Sequence, residues 1–285
     1  MRVIRAEALG MCFGVRDALA VIDEVGAPEQ VTIFGELVHN EVVLHSLDSR
    51  GFHTQNEKGR VMPETTDVLV TAHGISDATR SRLESAGKRL IDTTCPLVTR
   101  AHRAARLLAE QGYHVLVIGK AGHVEVRGLT EDLPSYDVIG SVDDVHTVAY
   151  EKIGVVCQTT STERDVARIR EAIEAANPDA EVRFVDTVCR PTKQRQRAVE
   201  NLLDEVEAMV VVGGSNSNNT RQLTARCRER GVPVVQVADA SELDPSWFAE
   251  FDLIGLTAGT STLPETIDEV HRALSRLNQL ATVTS

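Results

Sequence analysis

Short runs of Val, Ile and Leu recur along the chain, and amphipathic stretches fill the gaps between them. The runs VTIFG (31–35), DVLVTA (67–72), HVLVIG (114–119), KIGVVC (152–157), EVRFVD (181–186), AMVVVGG (208–214), VPVVQV (232–237) and DLIGLTA (252–258) are continuous rather than alternating. Such runs predict strands covered on both faces, as in parallel sheets. Helices are predicted over 14–25, 77–87, 97–111, 161–176, 192–206, 219–230 and 264–278. Ser76-Asp77, Ser161-Thr162 with Glu163, and Pro264 stand where caps or a first-turn proline belong. Strand and helix alternate from end to end, so the expected class is α/β. No low-complexity tract or Gly/Ser linker marks a boundary.

Three cysteines punctuate this pattern. Cys12 in GMCFGV, Cys95 in IDTTCPLV and Cys189 in VDTVCRPT each stand where an apolar run gives way to a predicted helix. They are 83 and 94 residues apart, and two of the three share the context D-T-x-C. A thiolate at a helix start meets backbone N–H groups and the positive end of the dipole, which favour its deprotonated, metal-binding form. One soft ligand per repeat points to three lobes of about 95 residues around a shared centre. The expected boundaries are 13–94, 95–188 and 189–285, with 1–12 packed on the third lobe. Soft thiolates select an iron–sulfur cluster, zinc or copper(I), and three ligands leave one metal position open. Three plain core cysteines are the competing reading. Cys157, at the end of an apolar run, and Cys227, within TARCRER, lack the context of the trio and are expected to be core and incidental.

In open α/β sheets ligands bind beyond the carboxyl ends of strands. The strand ends here carry His39-Asn40, His73-Gly74-Ile75-Ser76, His123 with Glu125, Gln158-Thr159-Thr160, Ser215 to Thr220, and Thr260-Ser261-Thr262. Imidazoles, hydroxyls and amides at helix starts make a good anion site. An ordinary capped loop accounts equally well for the Ser/Asn run taken alone. His45, His53, His102, His114, His146 and His271 are expected to be satisfied or solvated. Glu125 is the candidate proton donor, since a closing pocket with an anion nearby raises a carboxyl's pKa.

Composition narrows the field. The 285 residues can bury a substantial core, and 42% hydrophobic with 25% charged residues is ordinary for a globular chain. A formal charge of −12 and only 4% aromatics give no support to nucleic-acid or anionic-membrane binding. No run approaches the ~20 apolar residues of a membrane span. The N-terminus has no signal-peptide core and no C-x-x-C pair occurs, so a cytoplasmic location is expected. Neither a dinucleotide fingerprint nor a P-loop nor a nucleophile elbow is found, so NAD and ATP are not expected.

Taken together, GMCFGV, ELVHN, TAHGIS, IDTTCPLVTRAH, AGHVE, QTT, D-T-V-C…T…RQ, GGSNSNNT and TAGTST resemble the 4-hydroxy-3-methylbut-2-enyl diphosphate reductases, LytB-like iron–sulfur enzymes. The resemblance runs through most of the chain. It implies three α/β lobes in a trefoil around a [4Fe–4S] cluster held by Cys12, Cys95 and Cys189. It implies that His39, His73, His123, Ser217, Asn218, Asn219 and Ser261 hold a diphosphate, and that Glu125 and Thr159 carry protons to the departing hydroxyl. The implied products are isopentenyl and dimethylallyl diphosphate, and the implied electron donor is a ferredoxin or flavodoxin. The chain departs from the family at Val124, Lys120, Arg127, Arg190-Pro191, Asn218 and Thr260. Those changes raise the alternative of another allylic diphosphate as substrate, and Arg190 is a candidate to tune the cluster or touch the diphosphate. A non-redox iron–sulfur lyase or dehydratase is the alternative from a different class.

Overall fold

The structure, a computed structural model, describes residues 1–38, 40–57 and 59–283, with backbone alone for 278–283. In chain order the elements are β1 (Arg2–Arg5), α1 (Phe13–Asp23), β2 (Val31–Ile33), α2 (Glu41–Ser49), β3 (His53–Thr54), β4 (Asp67–Val70), α3 (Asp77–Ser85), β5 (Arg89–Asp92), α4 (Pro96–Glu110), β6 (His114–Ile118) and α5 (Val124–Thr130). They continue with β7 (Tyr136–Ile139), β8 (Lys152–Cys157), α6 (Glu163–Ala176), β9 (Glu181–Phe184), α7 (Arg190–Leu203), β10 (Ala208–Val212), α8 (Asn218–Glu229), β11 (Val234–Val237), β12 (Leu253–Ala258) and α9 (Pro264–Val283).

The strands form three four-stranded sheets, ordered β3-β2-β4-β5, β7-β6-β8-β9 and β11-β10-β12-β1. Every strand pair is parallel. All three sheets follow one order: second, first, third, fourth strand of the lobe. In the third lobe the fourth place is taken by β1, from the opposite end of the chain. The protein is thus α/β with three parallel-sheet lobes built to one plan.

Alternation along the central strands sends neighbouring side chains to opposite faces, and each face is covered by helices. Met209 and Val211 pack with Val199, Leu202 and Leu223 of α7 and α8. Val210 and Val212 pack with Val270 and Leu274 of α9. In the second lobe Val115 and Val117 meet Ala101, Ala105 and Leu108 of α4, while Leu116 and Ile118 meet Ile169 and Ile173 of α6. Full burial on both faces is why these strands are continuous in Val and Ile.

By internal contacts the chain divides into two compact units. The third lobe forms one, together with Met1–Phe13 and the short segment at Asn40 and Glu41. The first and second lobes form the other, from Gly14 to Cys189 apart from that segment. Among the described residues no helix is long and apolar enough to cross a membrane.

Candidate active site

The D-T-x-C repeat has a structural cause. In Asp92-Thr93-Thr94-Cys95 the Asp92 carboxylate accepts the Thr94 N–H at 2.9 Å, and the Thr93 hydroxyl donates to the Val70 carbonyl at the end of β4. In Asp186-Thr187-Val188-Cys189 the Asp186 carboxylate accepts the Val188 N–H at 3.1 Å, and the Thr187 hydroxyl donates to the Cys157 carbonyl at the end of β8. The aspartate closes a tight turn and the threonine clips that turn to the neighbouring strand. Each turn then delivers a cysteine to the first residues of a helix.

The backbone N–H of each cysteine reports the same plan three times over. Cys95 N–H donates to Ala72 O, Cys189 N–H to Thr159 O, and Cys12 N–H to Thr260 O, at 3.0, 2.9 and 3.1 Å. Ala72, Thr159 and Thr260 each lie two residues beyond the third strand of a lobe, β4, β8 and β12. Cys95 is the N-cap of α4, Cys189 directly precedes α7, and Cys12 directly precedes α1. All three are half-buried, whereas Cys157 and Cys227 are fully buried. Cys157 belongs to the core of the second lobe and Cys227 to that of the third. Burial pushes the Cys227 thiol up to about 12, and its sulfur donates to the Leu223 carbonyl.

In the unit of the first two lobes, Cys95 and Cys189 lie with His73, His123, Glu125 and Thr159. His123 is the N-cap of α5, its Nδ1 accepting the Glu125 N–H at 3.2 Å. A neutral ring so engaged carries its proton on Nε2. The His73 and His123 rings meet edge to face with centroids 5.8 Å apart. Glu125 is 2% exposed; its Oε1 accepts the Thr159 N–H at 2.6 Å and its Oε2 the Thr159 hydroxyl at 3.0 Å. The start of α1 closes on this group. A Cβ at Gly14 would stand 2.5 Å from Cys95 Sγ, so only glycine lets the helix approach the thiol.

In the other unit, Cys12 lies with Ser217, Asn218, Asn219 and Ser261. Ser217 caps α8, its hydroxyl accepting the Thr220 N–H at 3.3 Å, and Asn218 is the first helical residue. Asn219 is 2% exposed; its carbonyl accepts the Thr260 N–H at 3.1 Å, while its buried Nδ2 has no acceptor. Buried Ser261 gives its backbone carbonyl to Asn40 Nδ2 at 2.7 Å. His39 lies outside the described residues. The amide and hydroxyl loops are therefore built features of the lobe rather than loose caps, and the buried Asn219 Nδ2 and Thr220 Oγ1 stand in them without partners.

Two further residues position these loops, and of them only Arg195 lies outside the strand-end reading. Asn40 stands next to His39 and ties to the Ser261 loop. Arg195, in the T…RQ segment, is buried in α7; its Nε and Nη2 donate to Gly10 O at 2.9 and 2.6 Å, and its Nη1 donates to Pro191 O. It thereby clamps the turn two residues before Cys12. Arg190 opens α7 on the surface, and Pro191 sits buried in the first turn, where its missing N–H costs no helical bond. Val124 is buried as the first residue of α5. Among the described residues no three His, Cys, Asp or Glu side chains are grouped to hold a single metal ion.

The family described as LytB protein matches residues 3–275. The chain belongs to the LytB family. Its relatives include the 4-hydroxy-3-methylbut-2-enyl diphosphate reductase of Burkholderia pseudomallei, 34% identical over all of this chain and 92% of that protein. The reductase of the same name from Solidesulfovibrio magneticus is 35% identical, over 96% of this chain and 99% of its own length. Among solved structures, the E-1-hydroxy-2-methyl-but-2-enyl-4-diphosphate reductase from Plasmodium falciparum superposes with a TM-score of 0.88 at 26% identity, covering 96% of this chain and 87% of that one. A second, described as the terminal enzyme of the non-mevalonate pathway, gives 0.66 at 30% identity and covers 96% and 99%. The alternating pattern read from the sequence thus belongs to a LytB chain of ordinary length and architecture.

Proposed function

We propose that this LytB chain reduces 4-hydroxy-3-methylbut-2-enyl diphosphate to isopentenyl and dimethylallyl diphosphate. The substrate loses its allylic hydroxyl as water, and the reaction takes up two electrons and two protons. The observation that carries the reading is the threefold equivalence of Cys12, Cys95 and Cys189, each giving its backbone N–H to a carbonyl two residues past the third strand of a lobe. Three half-buried thiols at helix starts suit a [4Fe–4S] cluster with one iron free of protein ligands. In a cluster each cysteine binds a different iron, so the three thiols need not meet on one ion. The space kept open by Gly14 beside Cys95 Sγ supports the fit. When bound, such a cluster supplies the electrons and a Lewis-acidic iron.

The chain's own residues then bind, orient and protonate. His123, whose Nδ1 accepts the Glu125 N–H, is assigned to a phosphate oxygen through its Nε2. His73, edge-on to it, is assigned to the same diphosphate. The Ser217 hydroxyl accepts a backbone N–H and retains its own proton for the ligand. The orphaned Nδ2 of Asn219 supplies a further donor at the same helix start. His39, Asn218 and Ser261 complete the clamp by their place in the sequence. Holding the diphosphate fixes the hydroxyl for reaction, and positioning of this kind lowers barriers.

Glu125 and Thr159 form a two-link proton relay. With Glu125 protonated, its Oε2 donates to Thr159 Oγ1, and the Thr159 hydroxyl passes its own proton to the leaving oxygen. The 3.0 Å contact within a buried pair supports that exchange. A ferredoxin or flavodoxin is the assigned electron donor, and the cytoplasm, where free thiols persist, is the assigned location.

The test is an anaerobic assay of the reconstituted protein with this substrate and a strong chemical reductant. Both products should form, and only with reductant present. A colourless protein loaded with zinc, or turnover without any reductant, would defeat the proposal.

A further inference from the structure

A cavity of about 340 Å³ lies on a face of α5 other than the one that holds Glu125 against Thr159. Its α5 wall is Val124, Arg127, Gly128 and Glu131, residues at helical spacing on one side. The first lobe supplies the other wall, with Phe34, Arg60, Ile75 and Arg82. That volume is within the range of small-molecule sites.

The charge of the cavity is opposite to that of the protein. The chain carries a formal −12, yet three guanidinium groups and one carboxylate line this space. The carboxylate, Glu131, is already engaged by the Ser76 and Thr79 hydroxyls. Nearby Glu57 is shared among three donors: it takes the Glu36 N–H at 2.9 Å, Arg60 Nη2 at 2.6 Å, and lies 3.7 Å from Arg127 Nη2. One carboxylate so divided leaves positive charge in excess. Arg60 Nε is buried with no acceptor at all. The Arg60 guanidinium is held below its usual pKa, first by burial and, among neighbouring charges, by repulsion from Arg127 against the pull of Glu57. Two guanidinium groups held beside one another with one shared carboxylate are costly unless an anion arrives.

The walls are fixed. Asp132, at the exit of α5, accepts the Asp77 and Ala78 N–H groups at the start of α3, at 2.7 and 3.0 Å. Arg127 Nη2 donates to the Glu57 carbonyl at 2.7 Å. The floor is apolar, from Phe34, Ile75 and Val124, all buried.

We propose that this cavity is a second anion site, which takes a small organic phosphate or diphosphate with its charged group on Arg60, Arg82 and Arg127 and its apolar part on Phe34, Ile75 and Val124. The site is separate from the residues assigned to the reductase reaction and does not rest on that assignment. Arg127 gains a role here that the active site does not give it.

Equilibrium dialysis of the anaerobically reconstituted protein against labelled inorganic diphosphate, and separately against geranyl diphosphate, reads the number of sites. The expected result is one more ligand bound per chain in the wild type than in Arg127→Glu. Because Arg127 also holds the Glu57 loop, Arg82→Glu on the exposed side of α3 repeats the test where folding is not at stake, and it should lose the same ligand. A Ser217→Ala, Asn219→Ala double variant should keep the arginine-dependent ligand, which separates this site from the proposed active site. At that site geranyl diphosphate should bind at least about tenfold tighter than inorganic diphosphate, from burial of on the order of two methylenes. Equal stoichiometry in the wild type and both arginine variants overturns the site. Equal affinity for the two ligands overturns its apolar half.

Discussion

Gly14→Ala separates the fold from the cofactor. Alanine within α1 is favoured over glycine by about 0.5–1 kcal/mol. Against that, the added methyl would stand 2.5 Å from Cys95 Sγ and 3.2 Å from Cys95 Cβ. The first distance is about 1 Å inside the ordinary contact of ~3.5–4.0 Å. A free thiol escapes by turning about its χ1 at a cost of about 0.5–1.5 kcal/mol, so the protein without metal should change in stability by no more than about 1 kcal/mol. A thiolate committed to iron cannot turn. The clash then becomes overpacking worth about 1–3 kcal/mol, or ~5- to 150-fold in cluster retention. The assays are an anaerobic urea melt of the metal-free protein and iron release to a chelator from the reconstituted one. Cys95→Ser, which removes the ligand outright, sets the floor for iron content. If Gly14→Ala loads iron fully and releases it at the wild-type rate, the assignment of Cys95 as a ligand is refuted.

Glu125→Gln keeps an acceptor for the Thr159 N–H but cannot pass a proton; turnover should fall by about 10²–10⁴-fold while substrate binding, read by calorimetry, stays near wild type. Ser217→Ala removes the cap of α8 and should lower stability by about 1 kcal/mol in a urea melt and raise KM, whereas an unchanged KM would remove Ser217 from the diphosphate clamp. Cys227 is raised from 9.0 to about 12 in the native protein, so the unfolded chain loses this proton first and the native state binds more protons between those values. Stability should therefore fall with rising pH over about pH 9–12, by up to about 1.4 kcal/mol per unit from this group, and denaturation of Cys227→Val across pH 8 to 10 should lack that slope.

What was legible in the sequence follows burial. The six central strands, β2, β4, β6, β8, β10 and β12, are covered on both faces and stand out as apolar runs. The unpredicted strands β1, β3, β5 and β7 are all sheet edges. RVIR, HT, RLID and YDVI mix charged or polar residues with apolar ones because an edge is half exposed, and no periodicity marks them. Helix α5 was hidden for another reason: it spans only Val124–Thr130 and carries Gly128, too short and too interrupted for a helical period to show. The start of α7 at Arg190 rather than 192 follows from Pro191, which a first turn accepts.

The candidate residues were readable because polar chemistry at strand ends is local in sequence. Cys12, Cys95 and Cys189 could be set apart from Cys157 and Cys227 by context alone. Local sequence also encodes the Asp and Thr of D-T-x-C, whose turn and clip need only the adjoining strand. Long-range partners are a different matter. That β1 fills the fourth place in a sheet otherwise made from residues 208–258, that Arg195 reaches back to Gly10, that Glu125 meets Thr159, and that His73 meets His123 all depend on parallel crossovers and lobe packing between residues far apart along the chain. The charged cavity of Arg60, Arg82 and Arg127 is the extreme case, because three isolated arginines in an acidic sequence carry no pattern until two lobes bring them to one space. Periodicity and turn chemistry, which act over a few residues, set the strands, helices and thiol-bearing turns; the juxtapositions that can do chemistry arise only when those pieces are packed against one another.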